Sequence, residues 1–152
     1  MAGQIALDTK YYPSDFNVVQ VMPPLSTSGG GGMQFIPLLY ADRTLVVDSI
    51  LVYIPTAVST ASTLTVYYIT NTAIPVTTSI PTTQVQMTNT TATFPTGAGN
   101  YPSRTSLALR TTGTTANNLV PEGSTVWAVF SNPVTAGMTQ PLAFHVRCRS
   151  QI

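Results

Sequence analysis

Two side chains in this chain are suited to acid–base or nucleophilic chemistry, His145 and Cys148, and each is the only one of its type. They fall in the segment Leu142-Ala143-Phe144-His145-Val146-Arg147-Cys148-Arg149. There Leu142, Phe144, Val146 and Cys148 alternate with Ala143, His145, Arg147 and Arg149, the period of a strand with one apolar face. Odd spacing on a strand sends His145 and Cys148 to opposite faces, so they cannot chelate one metal together. A general base must also be oriented by another group. The neighbours of His145 on its own face are Arg147 and Arg149, which suits a solvent or interface role better.

The carboxylates add no second chemistry. Asp8, Asp15, Asp42, Asp48 and Glu122 are scattered, with no spacing that gathers the oxygen ligands of a calcium loop. A pair for glycoside hydrolysis would have to form across distant strands. No GxSxG elbow, P-loop or GxGxxG run occurs. The chain is expected to be no enzyme and to carry no cofactor and no metal.

The remaining candidates are binding residues. Trp127 is the single tryptophan, in Ser124-Thr125-Val126-Trp127-Ala128-Val129-Phe130-Ser131. Its apolar neighbours predict a core position between sheets, while a sugar-stacking platform around Trp127 or Tyr101 is the alternative. Tyr67 and Tyr68, if extended, put one ring on each face of their strand. Tyr11, Tyr12 and Phe16 lie where little core is available and are candidate anchors for docking on a neighbouring subunit. With His145, Arg147 and Arg149 they form the predicted partner-binding set.

The elements that must position these residues read as all-β. Six Lys+Arg and five Asp+Glu make only 7% charged, against 26 threonines; a soluble domain is ordinarily about a quarter charged. Threonine and valine are stiff at χ1 and favour strands. No charged residue occurs from Ser49 to Ser103. A surface this neutral points to one committed to neighbours, or to a durable particle. A net charge of +1 and a single lysine, Lys10, give no case for nucleic acid. No apolar run is long enough for a membrane span. The first residues have no basic segment followed by an apolar one, so synthesis in a cytoplasm is expected.

Residues 1–32 differ from the rest, with Tyr11, Tyr12, Phe16 and Val18-Val19-Gln20-Val21-Met22, and end in four glycines, Gly29 to Gly32. They read as an N-terminal arm hinged on a domain over 33–152, or Phe16 to Met22 is simply the first strand; the two readings are compatible. Strands are then predicted over 33–40, broken by Pro37 as at an edge or bulge, and over 44–54. In the latter Leu45, Val47, Leu51 and Tyr53 would share one face, and Val46, Ile50, Val52 and Ile54 the other, interrupted by Asp48. Further strands are predicted over 63–70, 84–88, 91–94, 105–110, 124–131 and 142–149, with 95–103 a loop. The expected architecture is a single two-sheet β-sandwich, jelly-roll-like, with an extended N-terminal arm.

The order Arg43-Thr44-Leu45-Val46-Val47-Asp48-Ser49-Ile50-Leu51-Val52-Tyr53-Ile54-Pro55, then Thr63 to Asn71, then Asn117-Asn118-Leu119-Val120-Pro121-Glu122-Gly123 leading into Ser124 to Asn132, and the closing Pro141 to Arg149, resembles a pattern of tailed-bacteriophage virion proteins. It is similar to jelly-roll capsid decoration (cement) proteins and head-fibre domains, over about two-thirds of the chain. The resemblance implies a homo-oligomer, a trimer favoured, seated on the major capsid protein at the capsid exterior, with no catalytic residues. The alternative is a receptor- or carbohydrate-binding module of a phage tail, baseplate or head fibre.

Overall fold

The computed structural model describes residues 15–22, 32–70, 83–111, 116–134 and 140–150. Ten strands follow in order: β1 (Asp15–Met22), β2 (Gln34–Tyr40), β3 (Leu45–Ile54), β4 (Ser62–Thr70), β5 (Gln84–Gln86), β6 (Ala92–Phe94), β7 (Ser103–Leu107), β8 (Leu119–Val120), β9 (Ser124–Phe130) and β10 (Leu142–Ser150). The only helical element among the described residues is a short 3-10 turn at Ala98–Asn100. The expected β-sandwich is what forms, and Phe16 to Met22 lie within its first strand.

The pairing is nested and antiparallel throughout: β1 with β10, β2 with β9, β3 with β7 and β8, β4 with β5 and β6. A ribbon paired in this way has two arms folded back at the β4–β5 connection. Rolling it up brings β10 also against β3 and β9 against β4. Two sheets result, β1-β10-β3-β7 with β8 beside β3, and β2-β9-β4-β5 with β6 beside β4. This rolled ribbon is a jelly roll. Pro37 sits in the edge strand β2, where the register shifts between Pro37 and Leu39. A residue without an N–H is tolerated at such a place.

The core lies between the sheets. Leu45, Val47, Ile50, Val52 and Ile54 of β3 meet Leu64 and Val66 of β4, Val126, Ala128 and Phe130 of β9, and Leu142, Phe144, Val146 and Cys148 of β10. Three phenylalanines form its centre. Phe94 and Phe130 have ring centroids 6.0 Å apart, and Phe130 and Phe144 6.2 Å, all tilted. Phe144 belongs to the first sheet and the other two to the second, so Phe130 stitches the layers together. Tilted pairs at these distances put the positive edge of one ring toward the negative face of the next.

One flank of the sandwich is closed by chain running past the ends of β5 and β7. Met87 accepts from the Arg110 amide at 2.8 Å, Asn89 donates to Ala108 at 2.8 Å, and Thr88 bridges Leu109. Asn117 and Asn118 complete the closure. Asn117 Nδ2 donates to the Gln86 carbonyl at 2.8 Å in the second sheet, and Asn118 Nδ2 to the Val47 carbonyl at 3.2 Å in the first. The Val47 amide returns a bond to Asn118 O at 2.9 Å. The Asn-Asn pair is therefore a clamp across the sheets, where sequence shows only a turn. Replacing Asn117 and Asn118 together by alanine is expected to lower the unfolding free energy by about 1–3 kcal/mol, because half-buried carbonyls lose their donors. Urea unfolding measures this; a loss under about 0.5 kcal/mol would mean that water replaces the clamp without cost.

After β8 the chain turns through Gly123, whose φ of 81° belongs to the left-handed region that glycine enters freely. Its N–H reaches Ala41 O at 2.8 Å, and Ala41 N–H reaches Ser124 O at 2.8 Å. The β2–β3 turn is thereby pinned to the start of β9.

Candidate functional site: the outer face of the first sheet

β10 places His145, Arg147 and Arg149 exposed on the outer face of the first sheet, while Leu142, Phe144, Val146 and Cys148 are buried beneath them. The predicted alternation is realised, and His145 and Cys148 do point apart. Burial raises the Cys148 thiol to about 12, with the nearby Asp48 carboxylate acting in the same direction. A thiol in that state is not a nucleophile near neutrality.

The β3 strand does not follow its predicted faces. The register slips between Arg147 and Cys148 of β10, so that Ser49 pairs with Arg147, Val47 with Cys148, and Asp48 has no partner. This is a β-bulge, with an extra residue on β3. Before it Leu45 and Val47 face the core; after it Ile50, Val52 and Ile54 do. Leu51 and Tyr53, expected beside Leu45 and Val47, lie instead on the outer face. The physical reason is the period of two: one inserted residue inverts every side chain that follows. The bulge also lets Asp48 stay outside, where its Oδ1 accepts from Arg149 Nε at 3.1 Å. An exposed pair of this kind contributes about 1 kcal/mol at most.

The next strand supplies what sequence reasoning missed. β7 begins at Ser103, within the segment expected to be loop, and its register sets Arg104 against Tyr53 and Ser106 against Leu51. β10 sets Ala143 against Tyr53 and His145 against Leu51 on the other side. β8 adds Leu119 opposite Val46. Residues from four distant parts of the chain thus form one outward surface. Strands stand about 4.8 Å apart and like-facing residues about 6.8 Å along a strand, so the exposed side chains are near neighbours. The one available signal was Asp48, since a lone carboxylate inside an apolar strand marks a place where the pattern shifts.

β1 lies at the edge of this sheet, with Asn17 at the register position opposite Arg147, Asp15 opposite Arg149 and Phe16 opposite Cys148. Tyr11 and Tyr12 fall outside the described residues, as does the side chain of Phe16. Of the six predicted partner-binding residues, the three whose side chains are described, His145, Arg147 and Arg149, lie together on β10.

The second sheet presents a different outer face. Its strands, β2, β9, β4, β5 and β6, contain no charged residue. Trp127 is on this face and half-buried, paired in register with Tyr67 and Pro37. The core position expected for Trp127 is corrected: Val126, Ala128 and Phe130 take the core register of β9, which leaves Trp127 facing out. Its Nε1 and Gln84 Oε1 are both shielded from solvent without a hydrogen-bond partner. Tyr67 and Tyr68 divide between the faces as expected, Tyr68 packing on the core. Tyr101 packs against the core as well, and its hydroxyl donates to Pro95 O at 2.8 Å.

Among the described residues, the remaining polar groups gather no reacting set. Asp42 pairs with Arg43 at 3.1 Å in the exposed β2–β3 turn, and the hydrogen bond and charge of that guanidinium lower the carboxyl's pKa. Among the described residues, no three of His, Cys, Asp and Glu come together. A shallow pocket of about 250 Å³ lies between Ala61, Ser62, Thr63, Thr93, Phe94 and Pro95. It has no titratable side chain.

No protein-family model matches the chain, and comparison with curated proteins gives no match. Among solved structures, the chain is similar at 17% identity and a TM-score of 0.20 to a chain in the structure of infectious bursal disease virus, Gt strain. That likeness covers 91% of this chain and 37% of the other, so this chain spans well under half the length of its structural neighbour.

Proposed function

We propose that this chain is a structural virion protein, a decoration or cement protein that binds the outer capsid surface and stabilises contacts between major capsid subunits. In this role it acts as a homo-oligomer, a trimer favoured, without catalysis. One observation carries the reading: the two sheets divide the charge. The outer face of the first sheet holds His145, Arg147, Arg149, Asp48 and Arg104, while the strands of the second sheet hold no charge. An uncharged face can be covered permanently by a sister subunit without desolvating ions. A charged face can register against a lattice, since complementary potential fixes orientation more than it adds affinity. The test is light scattering on the purified chain together with co-sedimentation on expanded, empty capsids. Oligomers and capsid binding are expected. A monomer that ignores capsids at micromolar concentration ends the proposal.

A second reading, a receptor- or carbohydrate-binding module, draws on the outward position of Trp127 beside Tyr67. Aromatic rings on a sheet face can stack on sugars. It predicts glycan-array hits and quenching of Trp127 fluorescence by the bound sugar. An array without hits removes it.

A further inference from the structure

We infer that the outer face of the first sheet docks a carboxylate-bearing protein surface, and that Tyr53 and Arg104 anchor the contact. The inference deepens the virion reading and rests on it for the choice of probe. Three large apolar side chains among the described residues are well exposed: Tyr53 at 38%, Leu119 at 41% and Tyr40 at 64%. Two of them, Tyr53 and Leu119, are on this one face, with the half-buried Val46 and Leu51 between them. Tyr53 stands directly opposite Arg104 across the β3–β7 ladder. Tyrosine and arginine are the side chains that most often carry binding energy at interfaces, especially around an apolar centre.

The charges state the chemistry of the partner. Among the described side chains, Arg104, Arg147 and Arg149 share the face with one exposed carboxylate, Asp48, and that carboxylate is already engaged by Arg149. Arg104 is exposed and makes no ion pair or hydrogen bond through its guanidinium among the described residues. Its planar fork matches a carboxylate in two parallel hydrogen bonds. A neutral partner would offer that guanidinium carbonyl or hydroxyl acceptors, without the paired charge that offsets its desolvation. A second copy presenting the same face would set arginine against arginine. Nucleic acid would meet three arginines set among apolar groups, where a phosphate backbone needs a basic row.

The experiment compares wild type, R104E, Tyr53→Ala and the control Tyr40→Ala for co-sedimentation with expanded, empty capsids at low and high salt. All three side chains are exposed, so thermal unfolding near wild type confirms that the variants fold. R104E and Tyr53→Ala are expected to weaken capsid binding at least about tenfold, and Tyr40→Ala less than about twofold. High salt should weaken the wild type, because exposed charges are screened. Wild-type binding by R104E and Tyr53→Ala overturns the inference and leaves the virion reading standing. Should the wild type ignore capsids, the virion reading falls, and NMR titration with poly-L-glutamate decides the inference. Shifts centred on Tyr53 and Arg104 support it. Absent shifts, or stronger shifts with duplex DNA at those residues, overturn it.

Discussion

Replacing Phe130 by alanine is expected to lower the unfolding free energy by about 3–5 kcal/mol. Phe130 is fully buried and is the shared member of both ring pairs, 6.0 Å from Phe94 and 6.2 Å from Phe144. Its removal leaves a void between the layers and deprives two rings of their partner. The cavity cannot collapse easily, since β9 is central in its sheet, held by β2 on one side and β4 on the other. Domains of this size hold about 5–15 kcal/mol in all, so the variant should unfold at far lower urea. Trp127 is the only tryptophan and sits on β9, which makes its fluorescence a direct reporter. Phe144→Ala should cost a similar amount, and the double variant less than the sum, because the rings share one cluster. A loss under about 1 kcal/mol for Phe130→Ala would show that the rings do not join the sheets.

Cys148 is expected to resist thiol reagents in the folded protein by about a thousandfold at mild alkaline pH. Burial and the Asp48 carboxylate raise its pKa from 9.0 to about 12, and each unit removes about tenfold of the reactive thiolate. Unfolding in urea should restore an ordinary rate. Rapid labelling of the native protein would contradict the burial of the β10 inner face. The same shift sets a pH dependence. A thiol whose pKa is higher folded than unfolded leaves stability intact below about 9, where both states are protonated. Stability is then lost as pH rises from about 9 through 12, because only the unfolded chain ionises freely. Burial raises Tyr68 and Tyr101 in the same direction, so their loss above pH 10 adds to it. Cys148→Ala should flatten the part of the decline that begins lowest.

Several features are legible in the sequence alone. The strict alternation of 142–149 settled which side of β10 is buried, because a strand's period of two leaves no other assignment. The threonine- and valine-rich composition and the spacing of turn residues specified a sandwich, and Pro37 marked an edge strand. The division of Tyr67 from Tyr68 followed from the same geometry. Trp127 and β3 were misread for related reasons. A strand apolar on both sides does not say which side is the core, and the choice for β9 fell to the partner that Phe130 found in Phe144.

The outer face of the first sheet shows the division most clearly. Sequence by itself determined the chain's neutrality, its β-character and the outward trio His145, Arg147 and Arg149, since these depend on composition and on neighbours along the strand. Only the tertiary structure decided that Tyr53 and Arg104 join that trio. The bulge at Asp48 inverts the remainder of β3, and the rolled ribbon carries β7 to its side. Both depend on pairings between residues about fifty positions or more apart, where register is settled by which apolar set reaches the core and not by any local preference.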